Sequence, residues 1–185
     1  MRRGLEQALD DYLVLLAQGG SREAFARLAA RWTPKLAAFA ARILGTTEAA
    51  RDVVQDTWES AVRGLPRLHD PARFRAWIYS IAARKCTDAL RGKYRNARIS
   101  ESAQAMVEAE VNSEDGANDR LDVAAALKRL PPDQRVAVSL FFGEEMSISE
   151  IAAITGAPEG TVKSRLFAAR KALREELGAH TYDQS

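Results

Sequence analysis

Residues 147–170, Ser-Ile-Ser-Glu-Ile-Ala-Ala-Ile-Thr-Gly-Ala-Pro-Glu-Gly-Thr-Val-Lys-Ser-Arg-Leu-Phe-Ala-Ala-Arg, constrain the fold more than any other stretch, because they read as two short amphipathic helices around a tight turn. Ser147 followed three residues later by Glu150 is a reciprocal capping box. Ile148, Ile151, Ala152 and Ile154 fall on one helical face, Gly156 supplies the positive φ of a sharp stop, and Pro158 suits a first helical position. In the second helix Val162, Leu166, Ala169, Leu173 and Leu177 form an apolar stripe. Gly160 and Thr161 stand at its start, and Lys163, Ser164, Arg165, Phe167, Arg170 and Lys171 are left to face outward. Such a helix-turn-helix suits entry into a DNA major groove, where Arg and Lys meet guanine acceptors. Taken alone, the segment is also compatible with an ordinary antiparallel helix pair bearing a solvated basic face.

The rest of the chain narrows the choice. With 185 residues, 46% hydrophobic and 28% charged, it has the composition of a globular protein of one medium or two small domains. No apolar run approaches a membrane span, and Glu6, Asp10 and Asp11 spoil a signal-peptide layout, so a cytoplasmic protein without membrane insertion is expected. The single cysteine, Cys86, excludes an intrachain disulfide. His69 and His180 lie too far apart to suggest zinc-ligand spacing, so no metal, cofactor or catalytic constellation is expected. Net charge is only +2, but it is segregated. Arg73, Arg75, Arg84, Lys85, Arg91, Lys93, Arg95 and Arg98 face only Asp88, whereas from Ile99 to Asp119 acidic residues accumulate without any Lys or Arg.

Apolar spacing predicts helices near residues 5–17, 22–44, 48–64 and 71–95, the clearest stripe being Phe25, Leu28, Trp32, Leu36, Phe39 and Ile43. Strand-like alternation is nowhere sustained. A smaller helical block follows over 121–130, 132–142 and the helix pair. Between the blocks the sequence is polar, acidic and aromatic-free, a composition that reads as a flexible linker. The expected fold is therefore all-α: two small helical domains, 1–96 and 120–185, joined by an acidic linker over 97–119.

The order of Asp52-Val-Val-Gln-Asp-Thr-Trp58, Phe74-Arg-Ala-Trp-Ile-Tyr-Ser-Ile-Ala82, an acidic linker, Leu127-Lys-Arg-Leu-Pro-Pro-Asp-Gln-Arg135 and the helix-turn-helix resembles an extracytoplasmic-function (ECF) sigma factor of the bacterial sigma-70 family. The resemblance runs from about Ser21 to Leu177, with region 2 in the first block and region 4 in the second. It implies a non-catalytic subunit that binds core RNA polymerase through its β and β′ subunits and directs promoter-specific initiation. Asp52, Val53, Gln55, Asp56 and Trp58 are then the polymerase-docking residues. Arg67, His69, Asp70, Arg73, Phe74, Trp77, Arg84 and Arg91 are placed at the minus 10 element, opened as a single strand. The basic, aromatic character of this segment suits unpaired bases, whose unstacking must be compensated by hydrogen bonds and stacking.

The resemblance likewise assigns Gly160, Thr161, Lys163, Ser164, Arg165, Phe167, Arg170 and Lys171 to the minus 35 element as duplex. Two departures stand out. Arg84 occupies a position where many relatives carry an asparagine, and a guanidinium cannot accept hydrogen bonds as an amide can. Ala168 stands where some relatives carry a longer polar side chain, which shifts readout toward DNA shape. An anti-sigma factor is the implied regulatory partner. The competing class is a stand-alone helix-turn-helix regulator binding palindromic half-sites as a dimer, in which the basic segment and acidic linker have no natural place.

Overall fold

A computed structural model describes residues 2–100 and 118–182, with side chains for 4–93 and 123–176. The described residues form eight α-helices and no strand: α1 (Arg2–Gln18), α2 (Arg22–Leu44), α3 (Thr47–Gly64), α4 (Phe74–Ser100), α5 (Asn118–Arg129), α6 (Pro132–Val138), α7 (Ile148–Thr155) and α8 (Glu159–Tyr182). This is the all-α architecture expected. The helices take in 97–100 and 118–119 of the stretch expected as linker, and residues 101–117 lie outside those described.

Local chemistry sets the ends of α2. Ser21 accepts a hydrogen bond from the Ala24 amide at 3.2 Å, relieving one unpaired donor of the first turn. At the other end Gly45 turns to φ 77, a left-handed conformation that costs glycine no Cβ clash, and its amide caps the Ala41 carbonyl at 2.8 Å. In between, Leu28, Trp32, Leu36, Phe39 and Ile43 are all buried, as their spacing predicts, while Phe25 is partly buried against them. The inner stripe of α3 is Ala50, Val53, Val54, Thr57 and Ala61. Its one hydroxyl is satisfied inside the helix, Thr57 donating to the Val53 carbonyl at 2.7 Å.

Aromatic side chains close the first block. Trp32 meets Phe74 edge to face at 5.4 Å between centroids and Tyr79 at 5.9 Å, and Phe39 meets Tyr79 at 5.2 Å. Such pairs contribute about 1 kcal/mol each beyond their burial. The last residue of α3, Gly64, has no room for a side chain, since a Cβ there would stand 2.8 Å from Cζ2 of Trp77. The indole therefore lies directly over the start of the loop that leads to α4.

In the second block, Val162, Leu166 and Ala169 of α8 are buried against α6 and α7. The predicted capping box at Ser147 and Glu150 is present, and Gly156 adopts φ 67 after α7. Between α6 and α7 runs a π-helical turn, Ser139–Gly143, followed by Glu145 at φ 53, an uncommon value for a residue with a side chain.

The spacing did not foretell that the blocks pack on each other. α6 and α7 lie against α4, α5 lies against α2, and one cluster of buried apolar residues runs through both blocks. Arg135 on α6 is buried, and its guanidinium donates to the Ile43 carbonyl at 2.7 Å, to the Leu130 carbonyl at 3.1 Å and to the Lys128 carbonyl. Ile43 lies in the last turn of α2, where carbonyls lack helical partners and a cation complements the negative end of the helix dipole. Arg135 therefore satisfies from one block what the other leaves open.

Candidate nucleic-acid and polymerase interface

The face of α3 opposite its buried stripe carries Asp52, Gln55, Asp56 and Glu59, all exposed. Positions 52, 55, 56 and 59 share that face by helical spacing. Gln55 donates to Glu59 at 3.3 Å, and Lys85 of α4 lies 3.7 Å from Asp56. Trp58 packs edge to face on Phe25 at 5.7 Å and donates its indole N–H to Thr33 at 2.9 Å, which leaves it half-buried. Val53, expected on this surface, is instead 5% exposed. It lies on the inward stripe three residues before Asp56, so it supports the face without being part of it.

The segment between α3 and α4 is a 3-10 turn over Leu65–Arg67, a bend, and a second 3-10 turn over Pro71–Arg73. Arg67, His69, Asp70 and Arg73 are exposed along it. Irregular backbone must find partners for its amides and carbonyls outside a helix ladder. Asp70 accepts from the Ala72 amide at 3.0 Å and caps the second turn, with Arg73 3.5 Å from its other carboxylate oxygen. The other partners come from α1, whose Gln18 carboxamide donates to the Leu65 carbonyl at 2.9 Å and the Leu68 carbonyl at 2.6 Å. Gln7 donates to the Ala72 carbonyl at 3.2 Å. Neither glutamine was singled out in the sequence, since nothing local marks a contact 47 or 65 residues away.

Of the α4 residues expected at DNA, Phe74 is 1% exposed and belongs to the core. Its ring fills the space beside Trp32 and Trp77, so it shapes the helix start and offers no surface. Trp77 is half-buried, whereas Arg84 and Arg91 are exposed. They border an open cleft of about 680 Å³ between α4 and the second block, lined also by Ser80, Asp133, Thr155 and Arg165. Asp133 receives Arg165 at 3.0 Å and Arg91 at 3.5 Å, one arginine from each block. Arg84 lies 3.9 Å from Asp88 one turn on.

Of the α8 residues expected at DNA, Gly160, Lys163, Ser164, Phe167, Arg170 and Lys171 are exposed and Thr161 is half-buried. Lys163, Ser164, Phe167, Arg170 and Lys171 fall on one face, and Phe167 is 72% exposed, which leaves its ring without a protein partner to cover it. Arg165 departs from the expected row. Its side chain is only 26% exposed because it turns toward α6 and Asp133.

A further polar knot joins the blocks beside this cleft. Glu144, after the π-helical turn, has a side chain 13% exposed; its carboxylate receives Arg42 and the Tyr79 hydroxyl, while Arg75 donates to its backbone carbonyl. Burial and the adjacent carboxylate together hold the Tyr79 phenol protonated well above the usual tyrosine range. Gly143 permits the approach, since a Cβ there would stand 2.7 Å from the Arg42 guanidinium. Among the described residues no group of three or more His, Cys, Asp or Glu side chains could hold a metal, and no helix is long and apolar enough to cross a membrane.

Residues 28–96 match the family described as sigma-70 region 2, and residues 120–173 match sigma-70, region 4. The chain is 33% identical over 160 residues to the RNA polymerase sigma factor CarQ of Myxococcus xanthus, an alignment covering 86% of this chain and 92% of CarQ. It is 32% identical over 186 residues to the ECF RNA polymerase sigma-E factor of Escherichia coli strain K12, covering 93% and 96% of the two chains. Among solved structures it is similar to the sigma factor RpoE in complex with the anti-sigma factor NepR from Bartonella quintana, with a TM-score of 0.69, 30% identity, and 83% and 96% of the chains covered. It is also similar to CnrH in complex with the cytosolic domain of CnrY, with a TM-score of 0.68, 32% identity, and 92% and 98% covered. An acidic helix face, a loop bordered by a basic helix and a helix-turn-helix with an open outer face thus occur in the order of regions 2 and 4, and the chain belongs to the sigma-70 family of RNA polymerase sigma factors, in its ECF group.

Proposed function

We propose that this sigma factor reads a promoter at two places by two physical means while bound to core polymerase. The observation that carries the reading is the outer face of α8. Lys163, Ser164, Phe167, Arg170 and Lys171 stand exposed in one row, backed by buried Val162, Leu166 and Ala169 that fix the helix on α6 and α7. A rigid row of donors and one aromatic ring matches a major groove, with cations to guanine or phosphate and the ring to a thymine methyl. This face takes the minus 35 element as duplex.

Residues 65–73, with Arg67 and His69 outward, take an unpaired base of the minus 10 element, and Arg84 and Arg91 follow the strand backbone. Asp52, Gln55 and Asp56 of α3 dock on basic residues of the polymerase largest subunit. An anti-sigma factor is the regulatory partner, in line with the complexes in which RpoE of Bartonella quintana and CnrH were solved.

The test is reconstitution. The purified protein added to bacterial core polymerase gives run-off transcription from a subset of promoters in a genomic library, and Asp52→Arg with Asp56→Arg abolishes it by preventing association. Failure of the wild-type protein to associate with core polymerase would overturn the reading.

A further inference from the structure

The segment between α3 and α4 consists of two short 3-10 turns and a bend, so contacts from outside it help to set its shape. Leu65 and Leu68 bound the first 3-10 turn, where the Leu68 amide donates to the Leu65 carbonyl at 3.0 Å. Gln18 adds two more. Its Nε2 lies 2.9 Å from the Leu65 carbonyl and 2.6 Å from the Leu68 carbonyl, one amide proton for each. Because both partners are acceptors, the nitrogen and not the oxygen of the carboxamide must face them. At the far end Gln7 reaches the Ala72 carbonyl at 3.2 Å and is itself steadied by Asp11 at 2.9 Å.

Gln7 and Gln18 lie on one face of α1 three turns apart, a span of about 16 Å at the rise of an α-helix. That spacing brackets residues 65–72. The helix carrying them is anchored in turn, for buried Asp10 receives Arg31 of α2 at 2.9 Å and Leu13 and Val14 are in the core. Arg67 and His69, between the two tied ends, stay exposed. The glutamines therefore hold backbone and leave the side chains free.

We propose that Gln18, assisted by Gln7, is a positioning residue for promoter-strand capture: it holds the backbone of residues 65–72 in the shape from which Arg67 and His69 meet an unpaired base. The inference rests on the reading that this loop takes the minus 10 base. Holding the loop in shape before DNA arrives lowers the ordering cost of capture and sharpens the difference between right and wrong bases.

Two measurements test it. Gln18→Met keeps the length of the side chain and removes the donors. In the free protein, amide exchange at Leu68 accelerates about tenfold, the scale of one or two lost hydrogen bonds. In holoenzyme presented with promoter DNA randomised across the minus 10 element, discrimination at the captured position falls by about tenfold, while affinity for core polymerase and for minus 35 duplex stays at the wild-type value. Unchanged exchange, or faster exchange with undiminished discrimination, would overturn the inference. So would an equal loss of core affinity and discrimination, which marks a merely structural residue. A Arg67→Ala, His69→Ala double variant separates the two levels. If it too leaves discrimination unchanged, base capture by this loop is wrong; if it flattens discrimination where Gln18→Met does not, only the positioning role falls.

Discussion

The two elements assigned to DNA are held in opposite ways. α8 satisfies its own backbone and needs only a seat, which Val162, Leu166 and Ala169 provide by burial. Residues 65–73 close only short 3-10 turns of their own, and individual polar side chains, Gln18, Gln7 and Asp70, add bonds that hold their shape. A duplex is a stiff partner, and a stiff helix docks on it with little rearrangement. On the proposed reading, a base that must leave its stack meets a segment whose form rests on a few bonds. A helix face and a tethered loop thus draw on different parts of the energy of folding.

The largest expected effect lies on the burial side. Leu166→Ala removes a side chain 1% exposed beneath the outer row and destabilises the second block by about 3 kcal/mol, seen as a lowered urea midpoint. Minus 35 binding collapses with it, and retention of full affinity would break the comparison. Next come the outer residues themselves. Lys163→Ala and Arg170→Ala each lower affinity for minus 35 duplex by about tenfold, measured by fluorescence anisotropy, with unfolding unchanged. Arg165→Ala costs less, about threefold, because that guanidinium is turned to Asp133. An Arg165 effect as large as that of Lys163 would mean the side chain swings out on binding.

On the polar side, Asp70→Ala removes the cap of the second 3-10 turn, costs about 1 kcal/mol, and alters minus 10 preference without touching minus 35 affinity in the same two assays. A last effect concerns α4, which packs against α3 in the first block and α7 in the second. Burial pushes the Cys86 thiol from its usual 9.0 up to about 12. The unfolded thiol ionises first, so the contribution of Cys86 to stability is complete below pH 9 and declines as pH rises toward 12. Unfolding followed at pH 8 and pH 10 should show that decline, and Cys86→Ala should remove that part of it.

Much of this was legible in the order of residues. The stripe from Leu28 to Ile43, the capping box at Ser147 and the left-handed Gly156 are local patterns, and each appears where its spacing placed it. Faces were legible in the same way, for Asp52, Gln55 and Asp56 and the α8 row follow from helical geometry alone. The exceptions are informative. Phe74 and Val53 carry the right chemistry for a contact, but both fall on the inward face of their helix. Arg165 was placed outward because period alone cannot foresee an aspartate on a neighbouring helix 32 residues away. The same separation hid Gln18 and Glu144, whose partners stand 47 to 102 residues distant in the chain.

The contact between the two blocks has a consequence of its own. Several of its bonds involve ions or carbonyls: Arg42, Tyr79 and Arg75 on Glu144, Arg91 on Asp133, Arg135 on Ile43. Water can take over each of those bonds when the partners separate, as it cannot for two apolar surfaces pulled apart. The polar part of the join is thus a set of separate fastenings laid over a shared apolar seam, each of them replaceable by water.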